Sequence, residues 1–283
     1  MKRSHFIITI ITSILIACTA FSINKKNSEG FVRIEKYVDA GTHKVRMQVS
    51  DMPSDYTIVL EAGGGRFSDV YEGIQDTLSK LTGYRVISYD RSGFGRSELG
   101  PADLTATGEV QVLRKCLESM NIKKKIILVG HSYGGFLIQL FAKEFPDLVE
   151  GLVLIDPMNV DFVDRFGLDS LNAYTPYFDN PLETWQIAGN RMVDNFQYAL
   201  EKLRGYELPR NIPVLLITSG NAPFNSAVWR KCHEEMVMNS PFHRLIIAEG
   251  CGHDILTENP DLVLHSIIEL SDSIRQNQAV SAR

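Results

Sequence analysis

From residue 31 onward the chain alternates short runs of consecutive apolar residues with longer stretches whose apolar positions recur every three or four residues. The runs at 58–62, 85–90, 125–130, 151–156, 213–218 and 244–249 are read as strands. Most are unbroken apolar runs, as strands covered on both faces require, so they predict a parallel sheet between two layers of helices. Two earlier segments, VRIEKYVD and KVRMQVSD, have the look of an antiparallel edge hairpin. Helical spacing falls over 69–81, 105–120, 133–145, 226–238 and 260–275. The alternation of strand and helix predicts an α/β fold with a mostly parallel eight-stranded sheet flanked by helices.

The interval between the strand ending at Asp156 and the one starting at Pro213 is too long for a simple connection with one helix. It predicts a helical cap over 157–208, inserted after strand 6. Nine of those 52 positions are aromatic, from Phe162 to Tyr206. Most are expected to pack the cap, and some to line an apolar substrate pocket.

Composition narrows the picture. With 44% hydrophobic and 22% charged residues the chain is neither disordered nor a polytopic membrane protein. A formal charge of −5 argues against nucleic acid as a partner, because phosphate binding needs clustered Lys and Arg. The first residues differ from the rest. Lys2 and Arg3 precede an apolar run from Phe6 to Ile16, short of the roughly 20 residues that span a bilayer. The sequence Leu15-Ile16-Ala17-Cys18 that closes it resembles the lipobox of bacterial lipoproteins. The resemblance implies a signal peptide over 1–17, acylation of Cys18, a polar tether over 18–30 and a folded part over 31–283. It places the protein in a bacterial cell envelope, with the membrane as a partner through the N-terminal lipid. Cys116, Cys232 and Cys251 remain as an odd set that implies no disulfide framework.

Candidate chemistry starts where the strand at 125–130 meets the helix at 133–145. The junction reads Gly130-His131-Ser132-Tyr133-Gly134-Gly135. A serine held on so sharp a turn needs glycines two residues to either side, where side chains would collide with neighbouring backbone. This strand, turn and helix, the turn Asp90-Arg91-Ser92-Gly93-Phe94-Gly95-Arg96-Ser97, and Glu61-Ala62-Gly63-Gly64-Gly65 together resemble the α/β-hydrolase superfamily over about residues 32–275. The resemblance implies that Ser132 is a nucleophile and that the amides of Tyr133 and Gly64 form an oxyanion hole, with Gly65 as the alternative to Gly64. Ala62 stands where the family carries His. The glycines lack the Lys-Ser/Thr sequel and the GxGxxG spacing of a phosphate loop.

A serine nucleophile needs a base and an orienting acid. Of seven histidines, His253 in Gly250-Cys251-Gly252-His253-Asp254 follows the last strand, where the family places its base. His131 belongs to the turn and is expected to be structural. His43, His233, His243 and His265 are read as surface or packing residues, and no pair has metal-ligand spacing. The common place for the acid, after the strand at 213–218, holds Ala222. Asp156, at the end of the preceding strand, is the replacement, with Asp161 or Asp164 of the cap, or no acid at all, as the alternatives. The resemblance then implies hydrolysis of a small-molecule carboxylic ester without cofactor or metal. Proline-iminopeptidase-like or carbon–carbon bond hydrolysis, and a non-catalytic binding lipoprotein, are the competing readings.

Overall fold

The computed structural model describes residues 25–26, 32–123, 125–167, 176–222 and 226–281. The apolar run at 6–16, Cys18 and most of the tether lie outside these residues, as does Tyr174 of the cap. Nine strands form one sheet: β1 Lys25–Lys26, β2 Val32–Asp39, β3 Lys44–Ser50, β4 Thr57–Glu61, β5 Arg85–Tyr89, β6 Ile126–His131, β7 Val149–Ile155, β8 Val214–Ser219 and β9 His243–Ala248. Their order across the sheet is β1-β2-β3-β5-β4-β6-β7-β8-β9, antiparallel through the β3–β5 pair and parallel from β5 to β9. The eight expected strands are all present. The two-residue β1, which falls within the segment read as tether, is the addition, and it pairs Lys25 with Arg33 of β2. A sheet edge recruits backbone rather than side chains, so a polar sequence gives no warning of it.

Period-two alternation sends the central strands' side chains into two separate cores. Val59, Leu128, Leu152, Leu154 and Leu216 face one side, where they meet helices α2 (Ala106–Ser119) and α3 (Tyr133–Glu144) through Leu113, Phe136 and Leu140. Ile58, Leu60, Val129, Val153, Ile155 and Ile217 face the other. There they meet α1 (Gln75–Thr82) through Leu78, and the long C-terminal helix, whose Val263, Ile267, Leu270 and Ile274 recur at helical spacing. Both faces are thus closed to water, which accounts for the unbroken apolar runs. Between β7 and β8 the described helices are α4 (Val160–Phe166), α5 (Thr184–Asp194) and α6 (Phe196–Leu203). After β8 come α7 (Ser226–Val237), α8 (Ile255–Glu258) and the C-terminal helix α9 (Pro260–Ser281).

The helix expected over 69–81 is broken. A 3-10 turn at Ser68–Tyr71 comes first and α1 begins only at Gln75. Gly73 falls in the gap, where its backbone freedom disfavours helix continuation. Among the described residues Cys116, Cys232 and Cys251 are free and buried, and no described helix is long and apolar enough to cross a membrane.

The loop after β5 is organised by Asp90, which has no exposed surface. Its carboxylate accepts from the Ser68 amide at 3.0 Å, the Ser68 hydroxyl at 2.6 Å, the Arg96 amide at 2.8 Å and Arg46 Nη1 at 3.2 Å. Gly95 lies so close that a Cβ there would come within 2.4 Å of the carboxylate. Asp90→Ala leaves these donors buried without an acceptor. We expect a loss of about 3 kcal/mol in urea unfolding, with an unchanged m value.

Candidate active site

β6 hands over to α3 at Ser132, whose φ of 54° and ψ of −120° are costly for a residue with a side chain. Neighbouring backbone holds it there. The Ser132 amide donates to Ile155 O at 3.0 Å, and its carbonyl accepts from the Met158 amide at 3.1 Å. The flanking glycines are needed for close approach. A Cβ on Gly130 would lie 2.6 Å from the Gly134 carbonyl oxygen, and one on Gly134 would lie 2.4 Å from that of Ala62.

Register places the next residue. His131 pairs with Ile155, so Ser132 and Asp156 leave their strands at the same level. Asp156 also has a positive φ, 41°, which turns it out of the sheet plane. His253 comes from the loop after β9 and joins the two. His253 Nδ1–H donates to Asp156 Oδ2 at 2.6 Å, and the Ser132 hydroxyl, 2.8 Å away, donates to His253 Nε2. This tautomer follows from the partners, since a buried carboxylate accepts and leaves Nε2 free to accept in turn. The alternative acids are engaged elsewhere or remote from His253: Asp164 pairs with Arg204 on the surface, and Asp161 borders a separate cleft.

Asp156 has no exposed surface. Besides His253 it accepts from the Ser219 amide at 2.8 Å, the Ser219 hydroxyl at 2.9 Å and Trp229 Nε1–H at 2.8 Å. Burial works against its charge, but the hydrogen bonds from His253 and Ser219 hold its carboxyl down at about 2. Behind it His233 is buried, donating from Nε2 to Pro157 O and accepting from the Thr218 hydroxyl, both at 2.8 Å. Sequence reading missed Trp229, Ser219 and His233 as supports of the acid. The available signal was the i, i+4 spacing of Trp229 and His233, which puts both on one face of α7. His43 and His243 are buried too, as packing residues with polar partners, and His265 is exposed. His43 sits in the β2–β3 turn.

A cavity of about 380 Å³ opens over Ser132. Its walls include Phe94, Tyr133, Met158, Phe178, Trp185, Met192, Phe196 and Trp229. Among the described residues, Phe178, Trp185 and Phe196 are the cap aromatics that reach it. Phe162 instead packs edge-on against Trp229, and Tyr177 is exposed. Among the described residues Arg66 is the one Lys or Arg in the lining, and it pairs with Asp254 at 3.6 Å. Gly63, Gly64 and Gly65 form the wall beside Tyr133. The Arg66 amide donates to Gly63 O at 3.2 Å and closes a turn, in which Gly65 has a φ of 70°. A Cβ built on Gly64 would lie 3.6 Å from that of Tyr133. Among the described residues no group of three or more His, Cys, Asp or Glu could hold a metal ion.

Residues 58–265 match the alpha/beta hydrolase family, and the chain belongs to it. It is 26% identical over 221 residues to the uncharacterized protein YqjL of Bacillus subtilis strain 168, covering 77% of this chain and 84% of that one. It is 30% identical over 137 residues to a 2-hydroxymuconate semialdehyde hydrolase of Pseudomonas sp. strain CF600, 47% of this chain and 48% of that one. The chain spans 18%, 28% and 32% of the length of three further curated relatives and 71% of a fourth. Among solved structures it resembles a thermophilic esterase from Thermogutta terrifontis, with a TM-score of 0.66 at 18% identity over 86% of this chain and 98% of that one. The haloalkane dehalogenase DatA from Agrobacterium tumefaciens C58 scores 0.63 at 14% identity, over 85% and 96%. At such identities the likeness is one of fold.

His131 ties the two halves of the site, its Nε2–H donating to the His253 carbonyl at 2.8 Å. Burial, and the repulsion it would meet from a protonated His253, lower its imidazole from 6.5 to about 4. A folded value below the unfolded one means that the neutral ring's contribution is whole above about 6.5 and is lost as pH falls toward 4. Between pH 7 and 4 the wild type is expected to lose about 3 kcal/mol more than His131→Asn, measured by urea unfolding at each pH.

Proposed function

We propose that this chain is a serine hydrolase of carboxylic esters, held on a bacterial envelope membrane by a lipid on Cys18. The observation that carries the catalytic part is the continuous hydrogen-bond chain Ser132–His253–Asp156 at the floor of an apolar cavity. As the substrate carbonyl arrives, His253 Nε2 takes the hydroxyl proton and Ser132 Oγ bonds to the carbonyl carbon. Asp156, ionised and saturated with donors, stabilises the imidazolium that results. The oxyanion is received by the amides of Tyr133, at the start of α3, and of Gly64. A helix N-terminus offers amides with no intrahelical partner, so the Tyr133 N–H is free for this purpose. Collapse expels the alcohol, which takes its proton from His253. A water molecule then gives its proton to the same nitrogen and attacks the acyl-enzyme, releasing the acid and restoring Ser132.

The walls support an uncharged substrate. An acyl or aryl group meets aromatic rings and methionines, and Arg66, the one Lys or Arg among the described lining residues, pairs with Asp254. The likeness to a 2-hydroxymuconate semialdehyde hydrolase supports carbon–carbon bond hydrolysis as a second reading. The same three residues would serve it, but the apolar walls favour the ester.

Hydrolysis of p-nitrophenyl esters from acetate to palmitate separates these readings. The full-length protein should turn over short and medium esters, while Ser132→Ala, His253→Ala and Asp156→Asn each lower kcat by about 10⁴. Near wild-type activity in Asp156→Asn would reject it as the acid, and absence of both turnover and fluorophosphonate labelling would reject the hydrolase. For the anchor, cells fed an alkyne fatty acid should label the wild type in the membrane fraction. Cys18→Ser should stay unlabelled and leave that fraction.

A further inference from the structure

Arg91 belongs to the turn after β5 and takes no part in the chemistry above, yet it is nearly enclosed. Its side chain and that of Glu61, its ionic partner at 2.6 Å, are each 2% exposed. Enclosing a guanidinium and a carboxylate is costly unless every donor and acceptor is matched. Here the matching is directional. Arg91 Nη1 donates to Glu61 Oε1 and to the Ala62 carbonyl, and Nη2 donates to the Gly63 carbonyl at 2.6 Å and to that of Arg66 at 3.4 Å. Tyr89 donates to the other oxygen of Glu61, and Tyr71 to its backbone carbonyl at 2.8 Å.

A trans peptide points its C=O and N–H in opposite directions, and no described peptide bond is cis. Holding the Gly63 carbonyl on Arg91 therefore turns the Gly64 N–H away from Arg91. Gly64 itself forms part of the wall of the cavity over Ser132. The guanidinium also lies 5.2 Å from the centroid of Phe94 and 5.7 Å from that of Tyr133, the residue that supplies the other amide. One side chain thus touches both halves of the proposed oxyanion hole. A loop with glycines at 63, 64 and 65 has little stiffness of its own.

We propose that Arg91, oriented by Glu61, is the positioning residue of the oxyanion hole: its fork fixes the 62–66 loop so that the Gly64 amide faces the reacting carbonyl. This rests on the serine-hydrolase reading.

The test compares wild-type full-length protein with Arg91→Lys and Glu61→Gln. Three readouts are kcat/KM on p-nitrophenyl butyrate, inhibition by 1,1,1-trifluoro-2-hexanone, and inhibition by the corresponding alcohol. The ketone adds Ser132 Oγ to its carbonyl, passing the serine proton to His253 and placing an oxyanion in the hole. The alcohol has nearly the same shape and forms no oxyanion. Lysine keeps the charge but lacks the planar fork. In Arg91→Lys we expect kcat/KM to fall on the order of 10²-fold, ketone affinity to fall by a similar factor, and alcohol affinity to stay within about threefold. Glu61→Gln, which keeps the volume, should show a smaller parallel loss and serves as the measurement if Arg91→Lys does not fold. Variants that melt earlier yet keep wild-type kcat/KM would overturn the proposal, since the pair would then support stability alone. Equal losses for ketone and alcohol would overturn it as well. A wild type that neither turns over the ester nor binds the ketone would overturn the hydrolase reading itself, and this inference with it.

Discussion

A carboxylate with no exposed surface, and with no lysine or arginine pairing with it among the described residues, stays charged only if donors surround it. Asp156 is that group, and meeting its demand organises the site. Three pieces of chain converge on it: the end of β8 through Ser219, the start of α7 through Trp229, and the loop after β9 through His253. Each is held in place by its own packing. Trp229 is buried against Phe162, and the Asp156–Pro157 turn is backed by His233. The Asp156 carboxylate is therefore oriented by the fold, and His253 inherits that orientation.

A second buried charge, Arg91, does similar work at the 62–66 loop. Arg91 and Glu61 lie among backbone carbonyls rather than solvent, and the loop they hold forms part of the wall of the cavity over Ser132. The two clusters share a design constraint. Each is placed where parallel strands end at one level, so that short loops bring polar groups together above an apolar sheet. Between them the cavity over Ser132 and His253 is walled mostly by aromatic rings and methionines.

The same reasoning explains what could be read in advance. Unbroken apolar runs report burial on both faces, so the strands from β4 to β9 were visible within a residue or two. Ser132 was visible because a strained turn leaves glycines at fixed offsets, and His253 because it lies between the last strand and the final helices. β1 and the break before α1 were not, since backbone pairing at an edge and a 3-10 turn leave little mark on side-chain spacing. His233 was read as packing, and it is buried, but its hydrogen bonds to Thr218 and Pro157 were invisible. A single histidine on a helix carries no record of what faces it.

Local sequence by itself determined the α/β layering, the sharp turn that presents Ser132 and the glycines that let α3 approach β4 and β6, because these depend on residue spacing along one segment. Tertiary structure alone decided which carboxylate meets His253, which indole caps it, which cap aromatics reach the cavity and what Arg91 grips. Those choices depend on strand register and on distances between segments as far apart as Asp156 and His253, or Glu61 and Arg91, and sequence spacing cannot encode a distance that only the folded sheet defines.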